Sequence, residues 1–70
     1  MVAKKNKFNG KMAENEYTVS RLAKELELAE ATVRLKAYGD KYEFTLSESI
    51  KIKELWDLTD EEYLEIFINY

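Results

Sequence analysis

Seventy residues allow a single domain, and a chain this short buries only about 60% of the surface its unfolded form exposes. It has neither cysteine nor histidine, which removes disulfide staples and the usual zinc ligands, so stability must come from the 46% of residues that are apolar. The net charge of −3 conceals a division: residues 1–42 carry nine Lys/Arg against six Asp/Glu, and residues 43–70 carry two against eight. A local positive face rather than the total charge decides whether a polyanion can bind, so the acidic sum does not exclude nucleic acid.

The chain has no proline and only two glycines, Gly10 and Gly39, so caps and short polar breaks must punctuate it. The start, through Lys7, is basic without an apolar stretch behind it, unlike a secretory signal. Residues 1–6 are expected to form a basic, flexible tail, and 7–70 a single domain. A first helix is predicted from about Lys7 to Glu14, with Phe8 and Met12 on one face. Thr18 is a good N-cap for a second, whose Val19, Leu22, Ala23 and Leu26 recur at i, i+3, i+4 and i+7. A third is predicted from about Glu30 to Tyr38, turning Val33 and Ala37 inward and stopping at Gly39 in a left-handed conformation. Phe44 should fold back onto the core. Thr45-Leu-Ser-Glu48 and Thr59-Asp-Glu-Glu62 both read as capping boxes, opening a fourth helix to about Trp56 and a fifth to about Asn69. No segment alternates like a strand, and no apolar run nears the roughly 20 residues that span a bilayer. The expected class is a compact all-α domain of five helices.

Residues 17–39 hold two short helical patterns joined by a tight turn, with the small Ala23 where the helices approach most closely. That is how a helix-turn-helix unit reads, and the second helix of such a unit commonly enters the DNA major groove. With Val33 and Ala37 buried, the outward surface of the third helix comprises Glu30, Ala31, Thr32, Arg34, Leu35 and Tyr38, with Lys36 at its edge. Of these, Glu30, Ala31, Thr32, Arg34 and Leu35 are the candidate base readers. Arg34 has the geometry to pair with guanine O6 and N7, and Thr32 to meet a phosphate or a thymine methyl. Arg21, Lys24, Lys36 and Lys41 are candidates for phosphate contacts, which fix register without reading sequence.

The stretch from Thr18 to Leu35, followed by Gly39 and Glu43-Phe-Thr-Leu-Ser-Glu48, resembles the small phage-encoded regulators of the Cro/repressor (XRE-type, lambda-repressor-like) superfamily. Leu58-Thr-Asp-Glu-Glu-Tyr-Leu-Glu-Ile-Phe67 is similar to the closing helix of its short phage members. The resemblance covers about residues 8–68. It implies five helices, a double-stranded operator DNA as ligand, commonly a homodimer, and the cytoplasm of a bacterial host. The chain departs from that pattern where the family usually has glycine at the turn (Glu27), glutamine at the phosphate-holding position (Val19), and serine, arginine and glutamine opening the reading helix (Ala29, Glu30 and Ala31). Two alanines reach only methyl groups, so Arg34 must bear more of the base reading.

In the last helix Tyr63, Ile66, Phe67 and Tyr70 form one apolar stripe, and Leu64 and Ile68 form a second beside it. Both together are wider than a domain of this size should bury alone, which points to a two-fold homodimer through Leu64, Phe67, Ile68 and Tyr70, with the Trp56 region joining it. The alternative is that both stripes are internal. For function, the alternative to a DNA-binding transcriptional regulator is a protein-interaction module on the same fold, such as an antirepressor that binds another phage regulator. No catalytic residue, metal ligand set, cofactor site, small-molecule substrate or membrane contact is expected: the carboxylates from Asp57 to Glu62 suit helix capping better than acid-base work.

Overall fold

The computed structural model describes residues 4–39 and 41–67. Among these the chain forms five helices and no strand: α1 (Lys5–Glu14), α2 (Val19–Leu26), α3 (Glu30–Tyr38), α4 (Leu46–Leu55) and α5 (Asp60–Phe67). No helix among the described residues is long and apolar enough to cross a membrane.

Local chemistry explains most helix starts. The Thr18 hydroxyl accepts the Arg21 amide at 3.1 Å at the head of α2. At α4 the Thr45 hydroxyl accepts from the Glu48 amide while the Glu48 carboxylate accepts from the Thr45 amide, completing the box. Thr59 and Glu62 repeat this reciprocal pair at α5. α1 and α3 begin instead on Lys4 and Ala29, neither of which caps the free amides with its side chain.

Three helix ends share one design. After α1, α2 and α4, the amides of Tyr17, Leu28 and Leu58 reach back to the carbonyls of Met12, Ala23 and Lys53 at 2.8–2.9 Å. The preceding residues, Glu16, Glu27 and Asp57, take φ of 58°, 58° and 48°. This is a Schellman ending with an acidic residue at the left-handed position where glycine is cheapest. Each reversal carries the following apolar residue onto the core: Leu58 is buried, and Tyr17 and Leu28 pack partly against it. The end of α3 departs from expectation. Gly39 is extended (φ −85°, ψ 166°), not left-handed. Its reason is space: a Cβ there would lie 2.6 Å from the Leu35 carbonyl oxygen.

Phe8 centres the core. It is fully buried, with the Trp56 ring at 5.3 Å, Phe44 stacked at 5.7 Å and the Tyr38 edge at 6.2 Å. Leu22, Ala23, Val33 and Ala37 fill the space between α2 and α3, while Ile52, Leu58, Ile66 and Phe67 close the other side. The basic tail is shorter than expected: α1 already begins at Lys5, and the Lys4 amide donates to the Ile66 carbonyl at 2.8 Å, so residues 4–6 belong to the domain. Residues 1–3 lie outside the described residues. The same α1–α5 contact pairs Lys7 with Glu65 at 3.1 Å and Lys11 with Glu62. Lys11 is held above its ordinary range first by that carboxylate, and Glu62 correspondingly below its own.

Candidate nucleic-acid interface

The α2–α3 pair is built from the inside. Ala23 and Val33 are both buried at the crossing, with Leu22 and Ala37 beside them. Glu27 takes its left-handed conformation (φ 58°, ψ 41°) at the turn and redirects the chain into α3. Val19 and Leu26 pack partly against the core, so the position where the resembling family holds a phosphate with glutamine is spent on packing.

With Val33 and Ala37 inward, α3 turns Glu30, Ala31, Arg34 and Leu35 to solvent, with Thr32 half-buried. Glu30 and Arg34 face each other at 3.6 Å, one helical turn apart. Both are exposed, and an exposed i,i+4 pair contributes only about 0.3–0.5 kcal/mol, so the arginine is readily drawn away. Tyr38, expected to face outward, instead lies half-buried with its ring edge on Phe8, its hydroxyl donating to Asn9 Oδ1 at 2.6 Å. Burial pushes its phenol above the ordinary range.

The expected phosphate contacts divide. Lys24 is exposed, and the exposed Arg21 lays its guanidinium over the Tyr17 ring at 4.2 Å, with Nη1 donating to the Glu16 carbonyl at 3.5 Å. Lys41 stands 5.7 Å from the Tyr42 ring centre. Lys36 is different: its ammonium donates to both Glu48 oxygens at 2.7 and 2.8 Å, with both side chains largely covered. Burial alone pushes Glu48 up, but Lys36 and the Thr45 amide outweigh it and hold the carboxyl below its ordinary range. Lys36 therefore braces α3 against the start of α4 and is not a loose cation. Sequence reading passed over Tyr42, which is 49% exposed and joins Thr32, Leu35 and Lys36 around a shallow concavity of about 260 Å³. An aromatic beside a lysine in an otherwise polar connection was the available signal.

The second face differs from the one expected of α5. Phe67 is buried, packed against Phe44 at 6.1 Å and Tyr63 at 5.3 Å, and Trp56 is buried as well. Neither offers a partner surface. Ile68 and Tyr70 lie outside the described residues. Leu64 is half-buried and lines an open groove of about 570 Å³ with Tyr63, Leu46 and Ile50. Leu46 and Ile50, on α4, are 61% and 42% exposed. The groove's rim carries Lys53 and Asp60, paired at 2.7 Å. The carboxylates of Asp60 and Glu62 are thus engaged by lysines or by the Thr59 amide. No family model matches this chain, and neither a curated protein nor a solved structure matches it.

Proposed function

We propose that this protein is a sequence-specific duplex-DNA-binding regulator that lays α3 in the major groove and represses by occupying an operator. The carrying observation is the geometry of α3, whose inner face is consumed by α2 and the core while its opposite face stays uncovered. A helix of nine residues is about 13.5 Å long, a length suited to a groove about 12 Å wide. Arg21, Lys24 and Lys41 remain available for phosphates around it. Lys7 and Lys11 of α1 are matched by α5 carboxylates, so the phosphate contacts of this proposal fall to Arg21, Lys24 and Lys41. The resemblance to Cro/repressor-type phage regulators supports the same reading.

A two-fold homodimer belongs to this proposal, because one short helix discriminates poorly, whereas two read half-sites roughly 34 Å apart. The face that suits it is the α4–α5 groove with Leu46, Ile50 and Leu64. Ile50→Glu should leave the domain folded and reduce the solution mass from dimer to monomer.

The test is selection of bound duplexes from a random pool by purified protein at about 0.1 M salt. An enriched palindrome is expected, with affinity falling steeply as salt rises. Arg34→Ala should relax preference at one base pair of each half-site, whereas Lys36→Ala should lower stability before it changes DNA contacts. No enrichment by folded protein would overturn the proposal in favour of a protein-interaction module.

A further inference from the structure

The outward groups of α3 divide by what already engages them. Glu30 and Arg34 are paired, and Lys36 is held by both oxygens of Glu48. What the helix offers without prior commitment is apolar: Ala31, the methyl of Thr32, and Leu35, which is 49% exposed. Tyr42, equally exposed, extends this surface from the following loop, and the Lys36 stem completes the concavity. At about 260 Å³ it falls below the roughly 300–1,000 Å³ of pockets that enclose small molecules. It is a shallow step that takes the edge of something larger. Lys41 stands beside Tyr42 at its edge, 5.7 Å from the ring centre. An apolar step flanked by positive charge complements a ligand whose small apolar groups sit between phosphates.

We infer that Thr32, Leu35 and Tyr42 form a reader of thymine 5-methyl groups, so that A·T pairs specify the half-site through methyl contacts as well as through any hydrogen bond from Arg34. Thymine is the only base with a methyl group in the major groove, and apolar side chains are its usual partners. This inference rests on the DNA-binding reading above. It assigns to Tyr42 a specificity role that the outward face of α3 alone does not suggest.

The test begins with the duplex recovered by selection, resynthesised with deoxyuridine for thymine one position at a time. That exchange removes only the methyl and keeps the base pair and the O4 acceptor. Withdrawing one methyl from an apolar contact should weaken binding roughly fourfold, at one or two positions in each half-site. Leu35→Ala and Tyr42→Ala should bind the thymine and uracil duplexes alike at those positions, whereas Glu54→Ala, exposed at the end of α4 and outside both the concavity and the α4–α5 groove, should keep the difference. Both residues are half-exposed, so their variants should fold, checked by thermal unfolding. A selected duplex bound equally well with uracil at every position would overturn the methyl reader and leave DNA binding standing. A uracil penalty that persists unchanged in both variants would overturn the residue assignment. If Leu35→Ala instead abolishes self-association without DNA, the concavity belongs to a second copy. Failure to recover any duplex would remove the DNA-binding reading itself, and this inference with it.

Discussion

Replacing Glu16, Glu27 and Asp57 with glycine should make the domain more stable, although no contact is gained. The three residues sit at φ of 58°, 58° and 48° and are exposed, so their side chains contribute little packing. A non-glycine residue in this region costs about 1–2 kcal/mol. Glycine returns about 0.5–1 kcal/mol of that through its freer unfolded chain. Each carboxylate also stands at the negative end of a helix dipole, a placement that costs about 0.3–1 kcal/mol when exposed. The backbone part therefore gains about 0.5–1 kcal/mol per site and the dipole part about 0.3–1 kcal/mol more. The three turns are separate, so about 4 kcal/mol is expected for the triple variant. In a domain of this size that corresponds to a Tm rise of roughly 16–32 °C. Thermal unfolding followed by circular dichroism, and by fluorescence of the single tryptophan, Trp56, gives the readout. Glutamine at the same positions removes the charge but keeps the strain, so it should recover only the dipole part, and that part should shrink in high salt. A triple glycine variant no more stable than wild type would refute the reasoning. So would glutamine variants that match glycine, because charge rather than backbone strain would then carry the effect.

Phe8→Ala should abolish cooperative unfolding: an emptied aromatic site costs about 3–5 kcal/mol, comparable with the about 3.5–10 kcal/mol available to 70 residues. Phe8→Leu should retain a measurable, lowered transition. Gly39→Ala should cost about 1–3 kcal/mol in urea unfolding, because its methyl would meet the Leu35 carbonyl at 2.6 Å and backbone cannot swing aside as a side chain can. Because the folded state holds Glu48 below its ordinary value of 4.5, its contribution should be complete above that pH and fade as pH falls through the lower folded value. Glu48→Gln should therefore lose about 1–2 kcal/mol against wild type at pH 7, and the gap should close on acidification. A gap that stays constant to pH 3 would show that the carboxylate charge is not what matters.

The features legible in the sequence were those governed by neighbours within about four residues. Thr18, Thr45 and Thr59 declare helix starts because a hydroxyl caps amides two or three positions on, and Phe8 with Met12, or Val33 with Ala37, mark inner faces through helical spacing. The same logic reached Ala23 at the crossing. It failed where a residue's fate depends on another element. Lys36 has the spacing of an edge cation, but α4 brings Glu48 beneath it. Tyr38 lies on the outward arc, but α1 supplies Phe8 and Asn9 to cover it. Phe67 belongs to a stripe too wide for a small core, yet Phe44 from the preceding connection takes it inside, while Leu46 and Ile50, read only as part of a capped helix, are left in solvent.

By itself the sequence determined the class and order of this protein: five short helices, their caps, their inner faces, and a helix pair closed by a tight turn. Those follow from backbone amides that must be satisfied locally and from a 3.6-residue period that sorts apolar from polar side chains. Only the tertiary structure decided which charges remain free on α3 and which apolar surfaces stay uncovered. Those depend on distances between segments remote in the chain, where the sign of a charge or the size of a side chain counts only against whatever packing sets opposite it.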